Sequence, residues 1–149
     1  MATPRFAVFT GAKRRQGPVR HLLGLELDMA PLEAVLTALA ERAAPAAAKL
    51  LYQEAEAIMT VSKEVYCPVK WGALRDSGHV ELPEQRGAEV SVTLGYGGPS
   101  APYAVYVHED VMLHHRPPTQ AKFLERPMLE AAAGLEERLA TALYAEMIG

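Results

Sequence analysis

Five side chains in the stretch APYAVYVHEDVMLHH, residues 101 to 115, are of types that bind metals or move protons: His108, Glu109, Asp110, His114 and His115. Imidazole and carboxylate ligands are what a catalytic zinc takes, commonly two on one helical turn or across a hairpin. A small metal-dependent hydrolase built on His108, Glu109 and His114 is therefore one reading. The spacing argues against it. HEDVM lacks the second histidine of HExxH, and His114 and His115 are adjacent, which points them apart in an extended segment. A solvated polar loop accounts for the cluster better than a metal site does.

Other candidates are weaker. Ser77 and Ser100 have histidines nearby in sequence but no G-x-S-x-G elbow around them. GYGG (95 to 98) is short and lacks the lysine of a phosphate loop. Cys67 precedes Pro68, has no basic neighbour before Lys70, and reads as a small packing residue. No catalytic constellation emerges, and the expectation is a non-enzyme without cofactor or bound metal.

The elements around these residues come next. With 149 residues the chain is about one domain long, and an apolar half with about a fifth of its residues charged is ordinary for a globular protein. A net charge of −3 does not suit a dedicated nucleic-acid binder. The charge is uneven. No acidic residue precedes Glu26, whereas Arg5, Lys13, Arg14, Arg15 and Arg20 all do. The single cysteine excludes an intrachain disulfide and fits a reducing cytosol. No apolar run approaches a membrane span, and no apolar stretch follows the basic N-terminus as a secretion signal requires.

Residues 1 to 21 read as a basic arm broken by Gly11, Gly17 and Pro18, with FAVF as a short strand inside it. Residues 22 to 149 read as one domain. LLGLELD (22 to 28) alternates like a strand. Pro31 and Glu33 then open a long helix with an apolar stripe through Leu32, Val35, Leu36, Leu39, Ala43, Ala46, Ala47, Leu50, Ile58 and Val61. Pro45 predicts a kink or two consecutive helices. GHVELPEQRGAEVSVTLGYGG reads as an antiparallel hairpin, with Val80 and Leu82 on the covered face of one arm and Val90, Val92 and Leu94 on that of the other. RPMLEAAAGLEERLATALYAEMI reads as a final helix opened by Pro127 and striped by Met128, Leu129, Ala132, Leu135, Leu139, Leu143 and Met147.

The segment from 100 to 110 fits two periods. As a strand it shows Tyr103, Val105 and Val107 on one face. As a helix it is capped by Ser100, with Pro102 in the first turn and Tyr103, Tyr106 and Val107 on one side, and this second form is preferred. In both forms the tyrosines and valines serve as anchors. The fold expected is α+β: a small antiparallel sheet packed on a long, Pro-kinked helix, followed by a C-terminal helix. Leu36, Leu39, Leu50, Ile58, Val80, Val92, Leu94 and Phe123 form its core.

Three pieces in order, CPVKWGALRDSGHV (67 to 80), APYAVYVHED (101 to 110) and TQAKFLERPMLEAA (119 to 132), resemble the HK97 gp10-like family of tailed-phage neck and tail-completion proteins. The likeness spans residue 22 to the C-terminus. It rests on a helix ending in Pro-Val, a Gly-x-Leu-Arg-x-Ser turn, a hairpin, a Tyr-Ala and Val-His-Glu segment, and Phe-Leu before the last helix. The resemblance implies structural roles for Gly72, Leu74, Arg75, Ser77, Tyr103, Ala104, Val107, His108, Glu109, Phe123 and Leu124. Gly72 permits a tight turn, Leu74 plugs the core, Arg75 and Ser77 tie the turn by hydrogen bonds, and Phe123 with Leu124 pins the loop before the last helix. The His108–Glu109 end is displayed on a loop.

Trp71 stands where the family has threonine, and the basic arm lies outside its pattern. The resemblance further implies a homo-oligomeric ring, six-fold or twelve-fold. Such a ring sits in the virion neck between the capsid connector or stopper and the tail terminator or tail tube. It is assembled in the bacterial cytoplasm, and DNA passes through it without sequence-specific binding or any membrane contact. A minor capsid or other tail component is the alternative within the virion. Lys13, Arg14, Arg15 and Arg20 are the candidates for subunit or DNA contacts. The FAVF segment is expected on an adjacent subunit's sheet edge or helix.

Overall fold

The computed structural model describes the backbone of residues 5–8 and the whole of residues 30–148. The LLGLELD segment and the basic residues Lys13, Arg14, Arg15 and Arg20 lie outside the described residues. Ten elements follow in order: β1 (Arg5–Val8), α1 (Ala30–Val61), a π-helical turn (Ser62–Tyr66), α2 (Ala73–Asp76), β2 (His79–Val80), β3 (Glu84–Arg86), β4 (Glu89–Gly95), α3 (Ala104–Glu109), α4 (Glu125–Ala132) and α5 (Leu135–Ile148). The α+β architecture is the one expected, with the sheet and the C-terminal helices both packed on the long helix.

β4 is the central strand. Its alternation buries Val90, Val92 and Leu94 against α1 and leaves Glu89, Ser91 and Thr93 on the other face. On one side β1 pairs with it antiparallel, Arg5 opposite Thr93 through Val8 opposite Val90. This corrects the docking expected of the FAVF segment: the strand closes an edge of its own subunit's sheet. On the other side β2 and β3 lie end to end along β4. Val80 stands opposite Leu94 and Glu84 opposite Ser91, so three residues (81 to 83) face two (92 and 93). Such a bulge rotates the strand between its two registers. Leu82 falls in it and is exposed, against the expectation that it shares the covered face with Val80.

α1 runs unbroken for 32 residues through Pro45, so the two-helix alternative does not form. Its buried positions are Ala44, Leu51, Ala55, Ile58 and Met59. This is a different stripe, one step round from much of that read in the sequence, and it begins only at Ala44. Leu36 and Leu39 were expected in the core and are exposed, at 55% and 47%; Leu50 is half-buried. Sheet and α4–α5 cover the helix from its middle onward, which is where the core can form.

The C-terminal helix is two helices. Ala133 leaves the helical region at ψ 113 and Gly134 takes φ 76, the left-handed conformation that ends a helix and costs a glycine little. The break is held from outside. Arg138 donates to the carbonyls of Ala131 (2.9 Å) and Ala133 (3.0 Å), and its guanidinium also grips Glu54 of α1 through two bonds of 3.0 and 3.2 Å. One side chain therefore satisfies the open carbonyls and fixes the corner on α1. Leu129, counted in the apolar stripe, turns outward once the helix is broken and is 65% exposed.

Candidate functional site

The three motif segments meet around Phe123. Its ring has no solvent exposure and is met edge-on by two others, Tyr96 at 5.0 Å and His108 at 4.9 Å between centroids. Edge-to-face contacts of this kind add to burial by matching ring edge to ring face. The Phe123 carbonyl accepts from Ser62 Oγ at 2.7 Å, and Ser62 Oγ lies 2.8 Å from the Tyr96 hydroxyl. A serine has one proton to give. Since Ser62 gives it to Phe123, Tyr96 is the donor to Ser62. Burial holds the Tyr96 hydroxyl well above its ordinary pKa, so it stays protonated for this duty.

Ser62 opens the π-helical turn that closes α1, where Cys67 N donates to the Ser62 carbonyl at 2.7 Å. The wider turn lets the chain leave the helix at Cys67, just before Pro68. The Cys67 thiol is buried, and that burial raises its pKa to about 11 against the smaller opposing pull of the Arg75 and Lys63 charges. A thiol held neutral is a poor nucleophile and serves as packing.

The turn after it follows the expected roles at Gly72, Leu74 and Ser77 but not at Arg75. Gly72 stands at φ 86, Leu74 is buried, and Ser77 Oγ donates to the Leu74 carbonyl (2.6 Å) while accepting from Gly97 N (3.1 Å). That second bond ties the turn to the residue after Tyr96. Arg75 takes part through its backbone, its carbonyl accepting from Gly78 N at 3.2 Å, and its side chain is exposed. The tie expected of its side chain is made by the main chain. Trp71, beside it, is 83% exposed with Lys70 Nζ 5.8 Å from its ring centroid.

The segment from 101 is helical, as preferred, but its details differ. α3 starts after Tyr103, whose side chain makes no capping bond, so Ser100 is not the cap. The anchors are Ala101 and Ala104, both buried, with Val107 half-buried; Tyr103, Val105 and Tyr106 are exposed. In so short a helix only the side toward the core is covered, and it is the small residues that lie there.

His108 is likewise not displayed. Its side chain is 18% exposed, Nδ1 lies 2.7 Å from Glu109 Oε1, and Nε2 accepts from Glu125 N at 3.4 Å. With Nε2 accepting, the proton of the neutral ring sits on Nδ1 and is donated to Glu109. Glu109 is also bonded to Lys122 Nζ, which reaches Glu125 at 3.1 Å. The Lys122 bond and then the His108 bond hold the Glu109 carboxyl below the usual carboxylate range, and the Lys122 ammonium is held correspondingly high.

Lys122 has φ 59, a left-handed backbone uncommon for a residue with a side chain. Four bonds keep it there: its N donates to the His108 carbonyl (2.8 Å), its carbonyl accepts from Arg126 N (2.9 Å), and its ammonium bonds to both the Glu109 and the Glu125 carboxylate. On the far side Gln120 N donates to the Tyr66 carbonyl, Arg126 stacks 5.0 Å above the Tyr66 ring, and Tyr66 OH donates to Glu130. Phe123 and Leu124 are thus pinned from both sides, in keeping with the role read for them.

His114 is exposed and His115 half-buried, with its Nε2 enclosed and unbonded. They do not join His108 and Glu109: among the described residues no group of three or more His, Cys, Asp or Glu side chains is arranged to hold a metal ion. The residues that sequence reasoning missed are Ser62, Tyr96 and Lys122. Ser62 and Tyr96 have their partners far along the chain, so no local pattern marks them, whereas Lys122 offers a local signal only in its i,i+3 spacing to Glu125. No family model, curated protein or solved structure matches this chain.

Proposed function

We propose that this chain is a structural subunit of a tailed-bacteriophage virion, one that joins copies of itself into a ring in the neck between capsid connector and tail. The observation that carries the reading is the convergence of its three motif segments on the Phe123 node. The polar groups there are engaged with one another and with backbone, a design for holding loops in place. The geometry at His108 supports it further: both ring nitrogens are taken up, and the Glu109 carboxylate is committed to His108 and Lys122. A ring on the DNA axis needs rigid loops and defined contacts rather than a reactive group. No helix of the described residues is long and apolar enough to cross a membrane.

Electron microscopy of the purified full-length chain tests the proposal. Closed rings with a central opening are expected, and the same protein should co-purify with assembled particles in the neck position. A monodisperse monomer that never associates with particles overturns it.

A further inference from the structure

The first eleven residues of α1, APLEAVLTALA, carry one charge, Glu33, and are apolar around most of the helix. A helix of that composition belongs in an interior. Here it does not have one: every residue from Ala30 to Leu39 is exposed. Beside it the end of α5 is in the same condition, with Met147 and Ile148 open to solvent. The two helices enclose a groove of about 270 Å³ lined by Leu36, Leu39, Ala43, Ala47, Leu143 and Met147, with no charged side chain on its walls.

We infer that this groove and the exposed start of α1 form the face through which a second copy of this chain docks. Leu32, Val35, Leu36 and Leu39 of α1 and Met147 and Ile148 of α5 are each 47–66% exposed, and large apolar side chains left open together on neighbouring helices mark a surface of association. The chemistry of the face selects an equally apolar partner, and α1 supplies one: its own uncharged first turns fit a groove built of leucine, alanine and methionine. The face lies away from the Phe123 node, so docking leaves the node undisturbed. The inference shares with the virion reading the premise that copies associate, but a dimer satisfies it as well as a ring.

The test compares the full-length chain with Leu36→Glu and Met147→Glu by sedimentation velocity across a wide concentration range, with circular dichroism as the check on folding. The wild-type chain should sediment as an oligomer. Each variant should raise the dissociation constant at least tenfold, at unchanged helicity, because both positions lie outside the subunit core. In a second arm, Leu36→Cys in a Cys67→Ser background is treated with a short bis-maleimide, and links between copies are expected. A wild-type monomer at all concentrations overturns both this face and the ring. Oligomers that survive both charges overturn the face and leave the ring standing. Dimers that stop at two and fall apart in the variants keep the face and remove the ring. A link within one chain between Leu25→Cys and Leu39→Cys, in the same background and in a monomeric fraction, overturns the second copy in favour of residues 22 to 28 as the cover.

Discussion

From Ala44 onward, α1 turns Leu51, Ala55, Ile58 and Met59, and the π-helical turn after it turns Ser62, into an interior made by β4, α4 and the Phe123 loop. From Ala30 to Ala43 the same helix carries leucines and valine at helical spacing and turns them toward solvent. The first half is at least as apolar as the second, so composition does not separate them. The cover does. Sheet and C-terminal helices bury only the second half; the end of α5 runs beside Leu36 and Leu39 and leaves both exposed. A hydrophobic stripe records that a surface needs a neighbour, and it is silent on whether the neighbour belongs to the same chain.

The largest expected effect lies in the covered half. Phe123→Ala removes the ring on which Tyr96 and His108 rest, and should cost about 3–5 kcal/mol of unfolding free energy in denaturant titrations. Leu36→Ala in the open half should change subunit stability by no more than about 0.5 kcal/mol. Equal losses at the two positions would erase the distinction drawn here.

Gly78→Ala comes next. A Cβ there would stand 2.6 Å from Lys63 Cε, 2.7 Å from Tyr96 Cε1 and 2.9 Å from Met59 Sδ. The lysine end can swing away, but the half-buried Tyr96 ring and the buried Met59 thioether have little room, so a loss of about 1–3 kcal/mol is expected in thermal unfolding. Ser62→Ala should cost a comparable ~1–3 kcal/mol, because it strands the Phe123 carbonyl and the Tyr96 hydroxyl in the interior. Restored stability in Ser62→Thr, whose hydroxyl can reach the same partners, would separate the bond from the volume.

The reading of the sequence succeeded where a residue's environment is local. Val90, Val92 and Leu94 alternate with polar neighbours, and Gly72, Leu74 and Ser77 sit in a turn of a few residues; both patterns were visible without coordinates. Leu82 was misread because a bulge breaks period two, and nothing in ELPEQ announces one except Pro83. The final helix was misread as single because its break at Gly134 is stabilised by Arg138, whose partner Glu54 is on another element. Periodicity puts Tyr103 and Tyr106 on an anchoring face, whereas the short helix buries Ala101 and Ala104 and leaves both tyrosines exposed. Leu36 and Leu39 were counted in the core by the same logic that correctly placed Ile58.

The smallest effect is electrostatic. Glu109 is stabilised as a carboxylate by Lys122 and His108, so its folded pKa lies below its unfolded one. Its contribution is complete above the ordinary carboxylate range and is lost as pH falls through the depressed value. Glu109→Gln should therefore lower stability slightly at neutral pH and flatten the acid limb of the stability curve. The pair is solvent-exposed, which keeps the effect small and salt-sensitive. An unchanged acid limb in the variant would show that the Lys122 backbone is held by its main-chain bonds alone.

Backbone hydrogen exchange along α1, measured on the full-length chain as protein concentration rises, tests the central contrast most directly. Amides from Val35 to Ala43 should gain protection with concentration, while those from Leu51 to Ser62 hold a constant, higher protection. In Leu36→Glu the first group should lose its concentration dependence and the second should not move. Protection that is independent of concentration along the whole helix, and identical in the variant, would contradict the account.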